Sequence, residues 1–520
     1  MEVAPSSFGT HLWAFCPSLA TLAPVFFWKD YFFIYNHRLL FVIGLVFSRS
    51  LTNVSIVSVI AWYFTVSGDD VLKSAISTNA HGFLSSVFVI FMAYAADSFV
   101  GRSKTLLCSN IAYVIALVLF WKFDAYDVNW LLLITLVLLA LGTSTDKILE
   151  DALQDMVNDI DKSPDRNITR SIARATIWSR VAYVSGAMLA ISLWFVPDTI
   201  GELDSSWGSA FFICLIALTL AVIISGFGHI VYHQGFGVLQ MCFKKLLEYI
   251  FGCLKIFSRK DRPPKNLDME NGENEWIKPE NSLHYMEEEE EEEKNSFDEQ
   301  EDKVVLKSLL KMLPIWLVFS VVSIISATGD TFFLQQYSHV DTDYVAVQFY
   351  SLVQDFSKFA IPFLYRRICC LPKHEKVKIG VGMLCGVVSC IFAWLLVVYE
   401  GYINTSFVWL VPQFFMLGCM EGLTEEGLLK LYKSRIKEEQ LQRYPKEYIE
   451  FWKGIGKLLN VFLALILQGW FGDTVHDSRL DKYYVVLVCV GLANFIIYCF
   501  IASLFYKDKV LAHDDDDNDE

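Results

Sequence analysis

Apolar stretches of about twenty residues recur twelve times along this chain. They lie roughly at 39–65, 78–100, 103–122, 129–148, 171–196, 207–233, 309–335, 344–365, 377–398, 404–430, 446–470 and 483–506. A helix of that length crosses the hydrocarbon core of a bilayer. Within lipid every backbone polar group must be satisfied internally, and a helix does so segment by segment. The pattern therefore predicts an all-α membrane protein with twelve transmembrane helices. Composition agrees. The 520 residues are 54% hydrophobic and only 19% charged, with a mean hydropathy of +0.39, too apolar for a soluble domain of this size. The first 38 residues have no basic stretch leading to a cleavage site, so no removable signal peptide is expected.

The net charge of −15 is concentrated. Glu287 to Glu293 run consecutively, Asp298, Glu299, Glu301 and Asp302 follow, and Asp514 to Asp517, Asp519 and Glu520 close the chain. These are 17 of the 58 acids; the remaining 41 nearly balance 43 Lys and Arg. Such runs are ordinarily solvated and disordered. Lys and Arg are enriched in cytosolic loops of membrane proteins. Placing the N-terminus in the cytosol puts 17 of them in the inner short loops and four in the outer ones. Both termini are thus expected inside. The sequon Asn404-Thr405-Ser406 then falls outside, close to the membrane. Cys369-Cys370 follow Arg366-Arg367 at a membrane edge, a setting open to palmitoylation or simply to small apolar residues.

The longest hydrophilic stretch follows the sixth segment and divides the chain six plus six. The expected organisation is a cytosolic segment 1–38, a six-helix bundle 39–233, a linker 234–308, a second bundle 309–507 and an acidic tail 508–520. The linker opens with QMCFKKLLEYIFGCLKIF, an amphipathic stretch placing Lys244, Lys245 and Lys255 at lipid headgroups. A short internal similarity links the halves. LALGTSTDKILEDA from Leu139 aligns with FMLGCMEGLTEEGL from Phe415, setting Glu150 opposite Glu426 and Asp146-Lys147 near Glu421. Parallel repeats of six helices around a mid-membrane site are the architecture of the major facilitator fold.

The second segment ends AYAADSFVGRSKT, Ala93 to Thr105. Asp97 can accept bonds from a neighbouring helix, Gly101 allows a tight turn, and Arg102 can bridge to carboxylates at other helix ends. Together they form a candidate conformational gate, the plainer reading being a positive-inside flank. Arg49 stands about ten residues into the first segment, with no acid between Leu39 and Val66. Ionisable residues at that depth are expensive and mark function. Arg49, Thr52 and Asn53 share a helix face, expected to turn toward a central cavity. Arg49 then serves an anionic substrate group or gating carboxylate, Glu421 and Asp330 first, or a structural pair between helices.

ADSFVGRSKT resembles the ADxxxGRxxT motif of the proton-dependent oligopeptide transporter family, in its plant nitrate/peptide branch. Ile315-Trp316 and TFFLQQ (Thr331 to Gln336) resemble that branch's seventh helix, IPFLYRR (Ile361 to Arg367) its eighth, LGTSTDK its LGTGGIK, and QFFMLGCMEGLTEEGL its tenth. The likeness covers nearly all of 35–507. It implies that Lys147 and Glu421 face each other across the cavity and recognise substrate, so that a charged solute separates them. The family's first helix carries ExxER. Aligning its arginine with Arg49 leaves Leu45 and Ser48 where the glutamates belong. The departure strikes the proton-coupling chemistry, since arginine stays protonated.

Other acids are then candidates for coupling. Glu421, Asp330 on the seventh helix and Asp355 rank in that order, with Glu425 and Glu426 one turn inside Glu421. Asp355–Lys358 and Glu450–Lys453 are spaced to pair locally. There is no phosphate-binding loop, no HExxH and no paired CxxC, so no enzyme activity and no cofactor are expected. The reading is a carrier of a small solute (nitrate, peptide, hormone or related metabolite) by alternating access, with protons as co-substrate implied by the resemblance. The plasma or vacuolar membrane is its expected site, as a monomer or weak dimer without nucleic-acid partners. A proton-independent uniporter, and a transport-deficient receptor or regulator on the same fold, are the alternatives.

Overall fold

The computed structural model describes residues 37–68, 70–123, 128–160, 168–193, 206–232, 310–339, 347–367, 374–399, 407–436, 439–442 and 444–516. The linker with its amphipathic stretch and acidic tract, the sequon and Cys369-Cys370 lie outside these residues. The described residues form twelve long helices. The first half holds α1 (His37–Ser55, a 3-10 turn Val57–Val59, then Ile60–Gly68), α2 (Val71–Ala95 with a π turn Ala96–Val100) and α3 (Arg102–Phe123). It continues with α4 (Asn129–Thr143, then Asp146–Ile160), α5 (Ile168–Leu193) and α6 (Ser206–Tyr232). The second half holds α7 (Leu310–Phe333), α8 (Gln348–Arg367), α9 (Glu375–Tyr399), α10 (Val411–Arg435), α11 (Pro445–Ile466) and α12 (Leu480–Asp516). α12 runs on into the acidic tail as far as Asp516.

Eight of these helices are long and apolar enough to cross a membrane by length and composition. α6 contributes the shorter apolar stretch Ala210–Ile224. α8, α10 and α11 fall short of that criterion for a shared reason. They carry Asp355 and Lys358, then Glu421, Glu425 and Glu426, then Glu450, Lys453 and Lys457. These charges line interior cavities, while side chains such as Phe356, Phe462 and Ile466 stand exposed on the outer faces. Asp355 at the cavities and the exposed Phe356 are sequence neighbours, about 100° apart around one helix.

Small residues set the close approaches. A Cβ on Gly418 would stand 2.1 Å from the carbonyl oxygen of Gln354, and one on Gly422 would stand 2.2 Å from that of Lys358. Glycines four apart thus let α10 press against the backbone of α8, as small residues do between membrane helices. Aromatic rings fill both bundles. Tyr63 meets Phe120 and Phe211 edge-on in the first half, and Trp316 stacks on Trp452 at 5.8 Å in the second.

The halves meet through α2 against α11, α5 against α8, and α2 against the C-terminal turn of α7, Gly329–Phe333. At one end the seam is closed by buried groups. Gln335 Nε2 donates to Thr65 Oγ1 at 2.9 Å and to the Val71 carbonyl at 3.1 Å, and Trp62 packs on Tyr337 at 5.5 Å. At the other end it is bridged by half-exposed charges: Lys446 lies 3.7 Å from Glu150 and 3.9 Å from Asp151.

Candidate functional site: a charged cavity between the halves

Two adjoining cavities lie between the bundles. The deeper one, about 230 Å³, is lined from the first half by Asn53, Thr78 and His81, and from the second by Asp330, Glu421 and Lys457 among others. The other, about 430 Å³, is lined by Lys147, Glu150, Arg180, Lys358, Glu425 and Lys446 among others. Asp355 and Glu450 line both.

Local backbone irregularities aim the charges. α7 ends in a π turn, Gly329–Phe333; such turns recur at functional sites. Asp330 sits in it and meets Lys457 Nζ at 3.0 Å. The tight fit of Gly418 and Gly422 against α8 brings Lys358 Nζ to 3.1 Å from Glu421 Oε2 and 2.9 Å from Glu425 Oε1. Lys453 reaches the same Glu425 oxygen at 2.9 Å and Glu450 at 3.4 Å. Glu421 also accepts from Ser326 Oγ and, at 3.2 Å, from Gln354 Nε2. The result is an alternating ladder of lysines and glutamates across α8, α10 and α11. Its outermost rung crosses to the first half, where Lys147 Nζ lies 3.8 Å from Glu450 Oε1.

Several expectations change in detail. Lys147 was expected to face Glu421; it pairs across the halves with Glu450, because Lys358 on the adjoining helix already holds Glu421. Asp355 and Lys358 were spaced to pair locally. Lys358 instead turns to α10, and Asp355 accepts a hydrogen bond from the Tyr183 hydroxyl of α5. The Glu450–Lys453 pair forms as spaced. Glu426 is bound by Lys378 and by Lys430 at 3.3 Å, on the mouth side.

Arg49 is buried, and its partners are in its own half rather than at Glu421 or Asp330. α4 breaks between Thr143 and Asp146, and the last carbonyls of a helix lack intrahelical partners. The Gly142 carbonyl at that break accepts from Arg49 Nη2. Asp146, opening the next helix where a negative charge is favoured, accepts from Nε at 2.9 Å. Asn110 Oδ1 and Thr145 Oγ1 take Nη1 at 2.8 and 3.0 Å. Leu45 is buried and Ser48 donates to carbonyls of its own helix at 3.0 and 3.2 Å. The carboxylate neutralising Arg49 thus comes from α4, not α1. Asn53, one turn along from Arg49, does line the deep cavity.

The second-helix motif forms a junction. The π turn Ala96–Val100 leads to Gly101 at φ 84°, a left-handed conformation that glycine alone adopts at little cost. Arg102 Nε donates to Asp97 at 3.2 Å, and its Nη1 bridges to Asp155 on α4. Across the halves, the Tyr444 hydroxyl donates to Asp97 at 2.9 Å. Tyr183 and Tyr444 were missed in the sequence, since neither carries a charge that stands out from an apolar or loop setting. Asp146 was visible only as a neighbour of Lys147.

A family model described as the POT family (PTR2) matches residues 103–464. The chain belongs to the POT family. It is an integral, multi-pass membrane transporter and not an enzyme. The matched range begins after α1, so Arg49 lies outside it. Among its relatives from Arabidopsis thaliana, Protein NRT1/PTR family 5.9 is 22% identical over 518 residues, covering 83% of this chain and 89% of the relative. Protein NRT1/PTR family 5.7 is 22% identical over 542 residues, covering 90% and 88%. A crystallised mutant of the peptide transporter POT in complex with alafosfalin superposes with a TM-score of 0.64 at 12% identity, over 92% of this chain and 96% of that one. An auto-inhibited POT family peptide transporter gives 0.62 at 13%, over 90% and 96%. These likenesses give the fold, two six-helix bundles of the major facilitator type.

Proposed function

We propose that this chain is a secondary-active carrier that moves a small zwitterionic or anionic solute by rocking 39–233 against 309–507. The observation that carries this reading is the ladder of Lys147, Glu450, Lys453, Glu425, Lys358 and Glu421. It borders the central cavities and includes one ion pair joining the halves. With the site empty these charges neutralise one another. A solute bearing both an acid and an amine replaces the pairs it breaks, and so binds one arrangement of the halves better than another. That differential affinity is what a ligand needs to shift a conformational equilibrium. The deep cavity, at about 230 Å³, lies below the roughly 300–1,000 Å³ of drug-sized ligand sites and suits a compact solute.

Asp97, Gly101, Arg102, Asp155 and Tyr444 act as the gate at the end bridged by charges, which the loop bias assigns to the cytosol. The buried seam at Gln335 and Trp62 closes the opposite end, so the arrangement corresponds to a carrier shut to the outside, with its inner mouth spanned by exposed charge pairs. The site is a plasma or vacuolar membrane, with both termini cytosolic. Because α1 brings no acid beside Arg49, proton coupling here runs through another carboxylate or carriage is uncoupled.

The test is uptake into liposomes by the purified chain, using nitrate, dialanine, a mixed dipeptide set and plant hormones as probes. At least one probe should enter saturably. Glu421→Gln should cut that flux about tenfold, the equivalent of 1.4 kcal/mol. A Glu421→Gln protein that folds and carries every probe at the wild-type rate would overturn the assignment.

A further inference from the structure

The cavities between the halves are lined by eight carboxylates among the described residues. Seven have a lysine Nζ within 3.9 Å. Asp355 is the exception. Its partner is a neutral hydroxyl, and that hydroxyl, Tyr183, belongs to the opposite half. Asp355 also lines both cavities, so it stands where the deep site meets the mouth.

We propose that Asp355 is the proton-binding site through which this carrier couples to protons, and that its proton is exchanged against the Tyr183 bridge between the halves. Protonating any other cavity carboxylate breaks an ion pair with a lysine, and at Asp330 and Glu450 it removes the one carboxylate within 4 Å of Lys457 and of Lys147 among the described residues; an unpaired buried charge is costly. Protonating Asp355 breaks no lysine pair, since its partner is the Tyr183 hydroxyl. As a carboxylate, Asp355 accepts a charge-assisted bond from Tyr183, roughly twice as strong as a neutral one. Once a proton from cavity water occupies a carboxyl oxygen, the pair becomes neutral and the link between α5 and α8 weakens. On release to water at the other side, the carboxylate and the strong bridge return. No other bond is made or broken.

The surroundings fit this role. Arg180 on α5 lies over the Phe359 ring of α8 at 3.5 Å, a second contact across the same seam. Lys358, one turn from Asp355, is held by Glu421 and Glu425 of α10. α1 contributes the neutral Asn53 to this cavity, and α11 contributes Glu450 already paired with Lys453. The proposal supplies the acid that Leu45 and Ser48 do not, and it rests on the carrier reading above.

Infrared difference spectroscopy of the full chain in phosphatidylcholine vesicles, stepped from about pH 8 to about pH 5 without solute, tests it with the proton as the probe. Wild type should develop a carboxylic-acid band in the region of poorly hydrated carboxyls. Asp355→Asn should lose that band, and Tyr183→Phe should keep it at a shifted frequency, having lost the hydroxyl partner. A band of wild-type size in Asp355→Asn overturns the proposal. Should that variant not fold, an unshifted band in Tyr183→Phe overturns it equally. Because no solute is used, failure here is separable from failure of carriage, which the liposome uptake panel reads independently.

Discussion

Arg49 shows how a single residue carries more than its sequence position discloses. Its guanidinium uses all three nitrogens, on Asp146, Asn110, Thr145 and the Gly142 carbonyl. Removing one partner of a buried ion pair costs roughly 3–5 kcal/mol. Asp146 retains a half-exposed side chain, which places Arg49→Ala at about 3 kcal/mol. Arg49→Lys should recover only part of it, because an ammonium cannot form the planar fork. Thermal unfolding in detergent measures both, and an Arg49→Ala protein melting with wild type would contradict the network. Gly101 gives a cleaner residue-scale case. A Cβ there has open space around it, so Gly101→Ala should cost only the backbone penalty of about 1–2 kcal/mol, with Gly101→Asn milder. Equal melting of all three proteins would count against the left-handed turn.

At the scale of elements, the close packing of α10 on α8 determines which charges meet. Gly418→Ala drives a methyl into the Gln354 carbonyl and the Ser357 hydroxyl. Overpacking of this kind costs about 1–3 kcal/mol, and moving α8 outward should also open the Lys358–Glu421 contact. The variant should therefore lose solute uptake out of proportion to its loss of thermal stability; a protein that only melts earlier would separate the packing from the site. The helices themselves were legible in the sequence because apolar length is a strong signal in a bilayer. Their partners were not. Which lysine meets which glutamate depends on helix rotation and on a glycine pair, and neither is written in the spacing of charges along one helix. Lys358 could pair at i−3 with Asp355 on geometry alone, and the neighbouring helix decided otherwise. The break in α4 that presents Asp146 to Arg49 gave no comparable warning.

Across the whole molecule, the division of six helices from six and the placing of charges between them follow from the chain's hydropathy and its short internal similarity. The seam itself emerges only from three-dimensional structure. One end is closed by buried contacts, the other by half-exposed pairs, Lys446 with Glu150 and Asp151 foremost. Such exposed pairs are individually weak, about 0–1 kcal/mol, which suits contacts that must break in each cycle. Lys446→Glu turns this attraction into repulsion. It should raise hydrogen exchange at the facing ends of α4 and α11 and leave exchange around Trp62 and Tyr337 at its wild-type level. Uniform change, or none, would contradict a gate confined to one end. Carriage requires that access to the cavity between the halves alternate between the two faces of the membrane. Counterflow addresses it most directly: liposomes preloaded with an unlabelled solute from the uptake panel receive a trace of the same solute labelled outside, with no ion gradient. Transient accumulation of label above equilibrium, reduced about tenfold in Glu421→Gln, is the predicted result. Saturable binding of the label with no transient accumulation would mean a receptor on a transporter's fold.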